Sequence, residues 1–359
     1  MNTCMLHSVR TFVGAGLLAI LSASAPACAA NTAGGPAPAD SATPAHGASP
    51  ASDPACATPS AAAEEAFHAR NAFGTIEGTL VLPAGCGPRP VALIIAGSGP
   101  TDRNGNQAPS LNAQPYKLLA EALAAQGVGS LRYDKGGIAA SAKAAPRDES
   151  AMRFEMGADD AALLVKQLRA DPRVGKITII GHSEGSLVGM LAAERAPVDA
   201  FVSLAGAGRP IADILREQLA KGIKDEALLA KANAIIASLA SGKTVSDVPS
   251  ELAALFRPSV QPYLISWMKY DPATELARIA VASALVAQGT TDIQVSTTDA
   301  KKLAVARPSA KLLVIEGMNH VLKAADMSNA SQQDAYTNPS LPLVPELVTG
   351  LVAIAAAAR

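Results

Sequence analysis

Aromatic side chains make up only 3% of the 359 residues, which leaves little from which to build the stacking platforms that hold bases or sugars. Positive and negative charges nearly cancel, with 30 Lys and Arg against 31 Asp and Glu, and no run of basic residues lines up to meet a phosphate backbone. Nucleic acid is therefore not expected as a partner. The apolar stretch Phe12 to Leu21 is about half of the ~20 residues that a spanning helix needs, so it gives no stable membrane span. Cysteines number four, too few for a disulfide scaffold. What is present is apolar mass: 49% apolar and 17% charged residues are too apolar for a disordered chain and enough for one large domain or two small ones. A small-molecule enzyme fits this composition.

The first 29 residues have the layout of an export signal. Arg10 precedes the apolar stretch, and small residues follow up to Ala27-Cys28-Ala29, an A-x-A cleavage site. Cleavage after Ala29 predicts a periplasmic or secreted protein. The rival reading makes Cys28 a lipidated N-terminus, although Ala25-Pro26-Ala27 lacks the leucine-like residue such signals place three positions before the cysteine. Residues 30–66 are rich in Ala, Pro, Ser, Gly and Thr and read as a disordered tether, because they bury too little surface to offset their ordering entropy. The folded domain is expected over 67–358. After cleavage, Cys56 and Cys86 remain, and an oxidising compartment invites a disulfide between them, against two unpaired thiols in loops.

Within the domain, short runs rich in Val, Ile and Leu alternate with segments of helical spacing, which predicts an α/β fold: a mostly parallel sheet with helices on both faces. Strands are expected at 75–82, 91–96, 129–133, 177–181, 200–204, 283–288 and 311–315. Helices are expected at 115–126, 155–169, 184–194, 299–306 and 344–358, with Gly127 as a C-terminal cap on the first. Residues 209–278 break the alternation and read as a helical cap inserted over the sheet. This cap holds the single tryptophan, Trp267, and Tyr263, which either fill its own core or wall a substrate pocket.

The sharpest local signal is Gly181-His182-Ser183-Glu184-Gly185, placed after the strand Lys176 to Ile180 and before a helix. The bare G-x-S-x-G pattern is common; strand, pattern and helix together make a nucleophile elbow, in which Gly181 and Gly185 permit a turn tight enough to lift the Ser183 hydroxyl clear of the sheet. A serine hydroxyl needs a base. Of five histidines, His7 leaves with the signal, His46 lies in the tether, His68 precedes the first strand and His182 sits inside the elbow. His320, in the loop after the last strand, remains. The order nucleophile, acid, base then places the acid between them, where Asp292 follows the strand 283–288, and Asp299 falls at a helix start suited to capping.

Ester or amide cleavage also needs donors for an oxyanion: the backbone N–H of Glu184, and that of Ser98 in the glycine-flanked loop Gly97-Ser98-Gly99. That loop lacks the Gly-Lys-Ser/Thr ending of a P-loop, so it is not read as a nucleotide site. The Glu184 side chain either complements the helix dipole or meets a cationic substrate group, and Asp102 and Arg103 either reach the mouth of the site or form a salt-bridged turn. The chemistry requires neither a metal nor an organic cofactor.

With Ser183, Asp292 and His320 in this order, the chain resembles the α/β-hydrolase superfamily over about residues 73–358, and within it the exported bacterial esterase-like serine hydrolases. The segments Gly97 to Asn106, Gln288 to Val295 and Gly317 to Lys323 are similar to that family's oxyanion, acid and base loops. One departure is Asp134-Lys135-Gly136-Gly137-Ile138-Ala139-Ala140-Ser141, where the family has D-x-R-G-x-G-x-S. The resemblance implies a carboxylesterase acting on small to medium acyl esters through an acyl-serine. The alternatives are a serine aminopeptidase-like amide hydrolase, and a non-catalytic small-molecule binding protein on the same fold.

Overall fold

The computed structural model describes residues 62–85 and 87–357. The export signal, Cys28, nearly all of the tether and the Cys56–Cys86 pair lie outside the described residues. The described strands are β1 (Ala63–Arg70), β2 (Thr75–Leu82), β3 (Arg89–Ile95), β4 (Gly129–Tyr133), β5 (Val174–His182), β6 (Ala200–Leu204), β7 (Ser283–Gly289) and β8 (Lys311–Ile315). They form one sheet in the order β1-β2-β4-β3-β5-β6-β7-β8. Pairs β1–β2 and β2–β4 are antiparallel, and every other neighbouring pair is parallel.

The helices are α1 (Pro115–Ala125), α2 (Phe154–Ala170), α3 (Glu184–Arg195), α4 (Ile211–Gly222), α5 (Glu226–Ala240) and α6 (Ala253–Phe256). After them come α7 (Gln261–Trp267), α8 (Pro272–Arg278), α9 (Thr297–Ala306), α10 (Asn329–Thr337) and α11 (Pro345–Ala357). Side chains alternate across β3, and the helices sort to match. Val91, Leu93 and Ile95 face a core shared with Leu164 and Leu168 of α2 and Leu187 and Leu191 of α3. Ala92 and Ile94 face the opposite core, with Leu119 and Leu123 of α1 and Leu347 and Leu351 of α11. A period of two in the strand thus meets a helical stripe on either side, the arrangement expected of a doubly covered parallel sheet. Among the described residues no helix is long and apolar enough to cross a membrane.

Strand β1 departs from the expectation, since it starts at Ala63, within the segment read as tether. Its sequence, Ala-Glu-Glu-Ala-Phe-His-Ala-Arg, has none of the β-branched residues that mark a strand. It forms as an edge strand through its backbone ladder with β2, and its carboxylates find arginines: Glu64 meets Arg132 at 2.8 Å and Glu65 meets Arg173 at 2.8 Å.

Helices α4 to α8 lie between β6 and β7, and several contacts tie this segment to the sheet's own helices. Phe154, at the start of α2, stacks on Trp267 with ring centroids 5.1 Å apart, and its N–H donates to Ser266 Oγ at 2.8 Å. At the other end, Arg209 pairs with Asp299, which is fully buried in the first turn of α9. Asp299 is thereby an anchor for the insertion as well as a helix-start residue. Burial pushes its carboxyl up, but the Arg209 guanidinium outweighs this and holds it below the usual range.

Helix α1 ends as its sequence suggests. Gly127 takes φ +78°, its N–H donates to the Ala124 carbonyl, and the Val128 N–H donates to that of Leu123. These are the two bonds of a Schellman cap. A Cβ at Gly127 would meet nothing within 4 Å, so backbone strain is the main cost of adding one. Gly127→Ala is expected to lower stability by about 1 kcal/mol in urea unfolding, with the folded-state circular dichroism unchanged.

Candidate active site

Four loops at the carboxyl ends of the parallel strands converge on one cavity of about 60 Å³, lined among others by Gly97, Ser98, Tyr116, His182, Ser183 and His320. Ser183 occupies the turn between β5 and α3 with φ 54° and ψ −121°, a backbone conformation that L-residues rarely adopt. Close packing on both sides holds it there. A Cβ on Gly181 would lie 2.2 Å from the Gly185 carbonyl oxygen, and one on Gly185 would lie 2.4 Å from that of Ile95. The Ser183 N–H donates to the Leu204 carbonyl at 2.9 Å, which fastens the turn to β6.

His320 Nδ1 donates to Asp292 Oδ2 at 2.8 Å. An ionised carboxylate can only accept, so the Nδ1 proton faces Asp292 and Nε2 is left as the basic nitrogen. Asp292 takes further bonds from Gln288 Nε2 at 2.9 Å and from the N–H groups of Gln294 and Val295 at 2.7 and 3.0 Å. Burial raises its pKa, but the His320 ring and these donors outweigh it and hold the carboxyl below its ordinary value.

A second, buried chain of hydrogen bonds joins the cavity's loops beneath the surface. The Gly97 N–H donates to Tyr116 Oη at 3.0 Å, Tyr116 Oη lies 2.8 Å from His182 Nδ1, and His182 Nε2 lies 2.9 Å from the His320 carbonyl oxygen. The carbonyl can only accept, which places the His182 proton on Nε2 and leaves Nδ1 to accept from the tyrosine hydroxyl. Burial, with the His320 ring adding to it, pulls the His182 pKa down to about 3, so the ring is neutral at pH 7. The histidine inside the elbow thus spans the distance between the Gly97 loop and the backbone of His320.

Residues 112–324, more than half of the chain, match the family model described as serine aminopeptidase, S33. The chain belongs to this family. Over 251 residues it is 27% identical to esterase EstD of Thermotoga maritima, an alignment covering 69% of this chain and 58% of that relative. The chain thus spans little more than half the length of that curated relative. Among solved structures, Est1E from Butyrivibrio proteoclasticus superposes with a TM-score of 0.51 at 18% identity, over 82% of this chain and 96% of that one. A puromycin-hydrolyzing peptidase from Mycobacterium tuberculosis superposes with a TM-score of 0.51 at 14% identity, over 82% of this chain and 39% of that one. The S33-type domain is an α/β-hydrolase fold.

Other residues singled out from the sequence stand away from the cavity of this S33-type domain. Arg103 forms a bidentate pair with Asp134, and Asp102 accepts the N–H groups of Asn104 and Asn106. Trp267 packs in the core against Phe154, and the Tyr263 hydroxyl adjoins the buried Glu184 carboxyl. None of Arg103, Asp102, Trp267 and Tyr263 lines the cavity. The departure after β4 has a steric cause. A Cβ at Gly136 would lie 2.5 Å from the Ala144 carbonyl oxygen, so no arginine fits there, and Ala139 keeps a glycine-like φ of 44°.

The polar lining residues that sequence reasoning did not reach are Gln107, Ser110, Tyr116 and Tyr336. No motif marks them, although Tyr116 and Tyr336 are two of only five tyrosines. Among the described residues no group of three or more His, Cys, Asp or Glu side chains is placed to hold a metal ion.

The buried network has a thermodynamic signature. In the unfolded chain His182 binds a proton at its ordinary value of 6.5, whereas the folded ring stays neutral down to about 3. The unfolded state therefore holds more protons in that window, and stability falls as the pH drops through it. Thermal unfolding between pH 6.5 and 3 is expected to show a declining Tm, and His182→Gln, which does not titrate, to show a shallower decline. An identical slope in the variant contradicts the assignment.

Proposed function

We propose that the protein is a serine carboxylesterase with Ser183 as nucleophile, His320 as base and Asp292 as the acid that orients it. The observation carrying this reading is the single cavity that joins Ser183 to His320, with the other face of the imidazole held by a fourfold hydrogen-bonded carboxylate. Ser183 Oγ attacks the ester carbonyl while His320 Nε2 takes its proton. The Ser98 and Glu184 N–H groups receive the oxyanion, and the imidazolium then protonates the departing alcohol as the C–O bond breaks. Water, deprotonated by the same nitrogen, releases the acid from the acyl-serine. The name of the Thermotoga relative supports ester over amide chemistry.

A cavity of about 60 Å³ suits a short acyl group. The peptidase reading, favoured by the family's description, needs a carboxylate to receive a free amino terminus. Glu184 is the carboxylate nearest the nucleophile in sequence, and it faces Lys135 and Tyr263. Residues 1–29 extend the proposal to an exported enzyme, which would work away from cytoplasmic thioesters.

A p-nitrophenyl ester series from acetyl to dodecanoyl tests the proposal. The expected profile has its highest kcat/KM at acetyl to butyryl, and Ser183→Ala loses about 10⁴-fold or more. Inert esters together with Ser183-dependent cleavage of aminoacyl anilides would establish the peptidase instead, and inertness of both variants on both substrates would favour a binding protein.

A further inference from the structure

Beneath the oxyanion loop lies a charged pair that the mechanism leaves unused, half-buried at Lys135 and buried at the Glu184 carboxyl. Lys135, in the loop after β4, donates through Nζ to the Gly97 carbonyl at 2.5 Å and lies 4.0 Å from Glu184 Oε1. The Glu184 side chain is 8% exposed. Burial pulls the Lys135 pKa down and Glu184 opposes it, while burial raises Glu184 and Lys135 opposes that. The other ionisable groups around the pair are the Tyr263 hydroxyl from α7, the Tyr133 hydroxyl from β4, the Tyr116 hydroxyl from α1, and the Asp160 carboxyl from α2 beside Gly136.

The geometry of a trans peptide turns this contact into a statement about the donor. Carbonyl and N–H point in opposite directions across one plane, so a partner that fixes the Gly97 carbonyl also fixes the direction of the Ser98 N–H. Gly97 and Ser98 both line the cavity beside Ser183. The flanking peptides are held as well. The Gly97 N–H is taken by Tyr116, and the Ser98 carbonyl accepts from Thr101 Oγ1 at 2.9 Å and Gln107 Nε2 at 3.0 Å. Of these partners only Lys135 carries a charge, and only Lys135 also faces the residue that supplies the second donor.

We propose that Lys135 is a positioning residue for the oxyanion hole, its ammonium setting the Gly97–Ser98 peptide plane and linking it to Glu184. Lys135 does not touch the substrate. It acts through the Ser98 N–H, and its charge adds a favourable field where the oxyanion develops. Loss of its proton weakens the bond to the Gly97 carbonyl and removes that field.

The inference rests on Ser183 as the nucleophile, and the test is chosen to separate the two. The second-order rate of Ser183 phosphonylation by a fluorophosphonate requires the nucleophile and the oxyanion donors but no particular acyl substrate. Wild type, Lys135→Met and Lys135→Arg are compared from pH 6 to 11, with circular dichroism and Tm as controls for folding. Lys135→Met is expected to react roughly 10²-fold more slowly at pH 7.5 while remaining folded, in line with loss of one oxyanion donor. Wild type is expected to lose reactivity at alkaline pH as the ammonium titrates, and Lys135→Arg, which stays charged, to lack that limb. A folded Lys135→Met that reacts as fast as wild type overturns the proposal. Should Lys135→Met not fold, an alkaline limb in Lys135→Arg identical to that of wild type overturns it. Rapid labelling of Ser183 in an enzyme inert on every ester would overturn the esterase reading alone, and absence of labelling in wild type would overturn both.

Discussion

The site depends on how closely the turn carrying Ser183 approaches the ends of its neighbouring strands. With Gly185 against the carbonyls of Ile95 and Ala96, and Gly181 folded onto Gly185, the elbow has no room for a single added methyl group. This contact is what holds Ser183 at positive φ, and it also brings β3 and its following loop beside the serine. A Cβ on Gly97 would itself lie 3.1 Å from that of Ser183. Ser183 and the Gly97 loop are thus placed by the same packing.

The loops so assembled are held in register by buried polar groups with assigned partners. Tyr116 and His182 connect the Gly97 loop to the carbonyl of His320, and the Asp292 carboxylate holds the imidazole of that same residue from the other side. Such networks specify one geometry when every member is satisfied and cost several kcal/mol when one member is lost. Keeping His182 neutral is part of this design, since an imidazolium could not accept from the tyrosine.

Much of this was legible in the sequence because its physics is local. Central strands such as β3 and β5 announce themselves as buried runs rich in Val and Ile, and all seven expected strands are present. Ser183, Asp292 and His320 follow from chain order and from the shortage of histidines. What stayed hidden depends on contacts between distant segments. Strand β1 carries no β-branched residue and exists through its ladder with β2, and α10 has too weak an apolar stripe to stand out. The sequence allows Trp267 both a core and a pocket role, and its stacking on Phe154 places it in the core. Tyr116 and Gln107 belong to no motif, Lys135 stands at an unspecified position of one, and their roles arise only where the strand ends meet.

The central claim, that Ser183 carries the acyl group during turnover, is tested most directly by acid-quenching the enzyme during hydrolysis of p-nitrophenyl acetate and sequencing its tryptic peptides by mass spectrometry. The peptide 177–195 contains both Ser183 and Ser186, and fragmentation distinguishes them. The account predicts an acetyl group on Ser183. Hydrolysis at full rate with Ser183 unmodified, and acetyl on Ser186 or elsewhere, would contradict it.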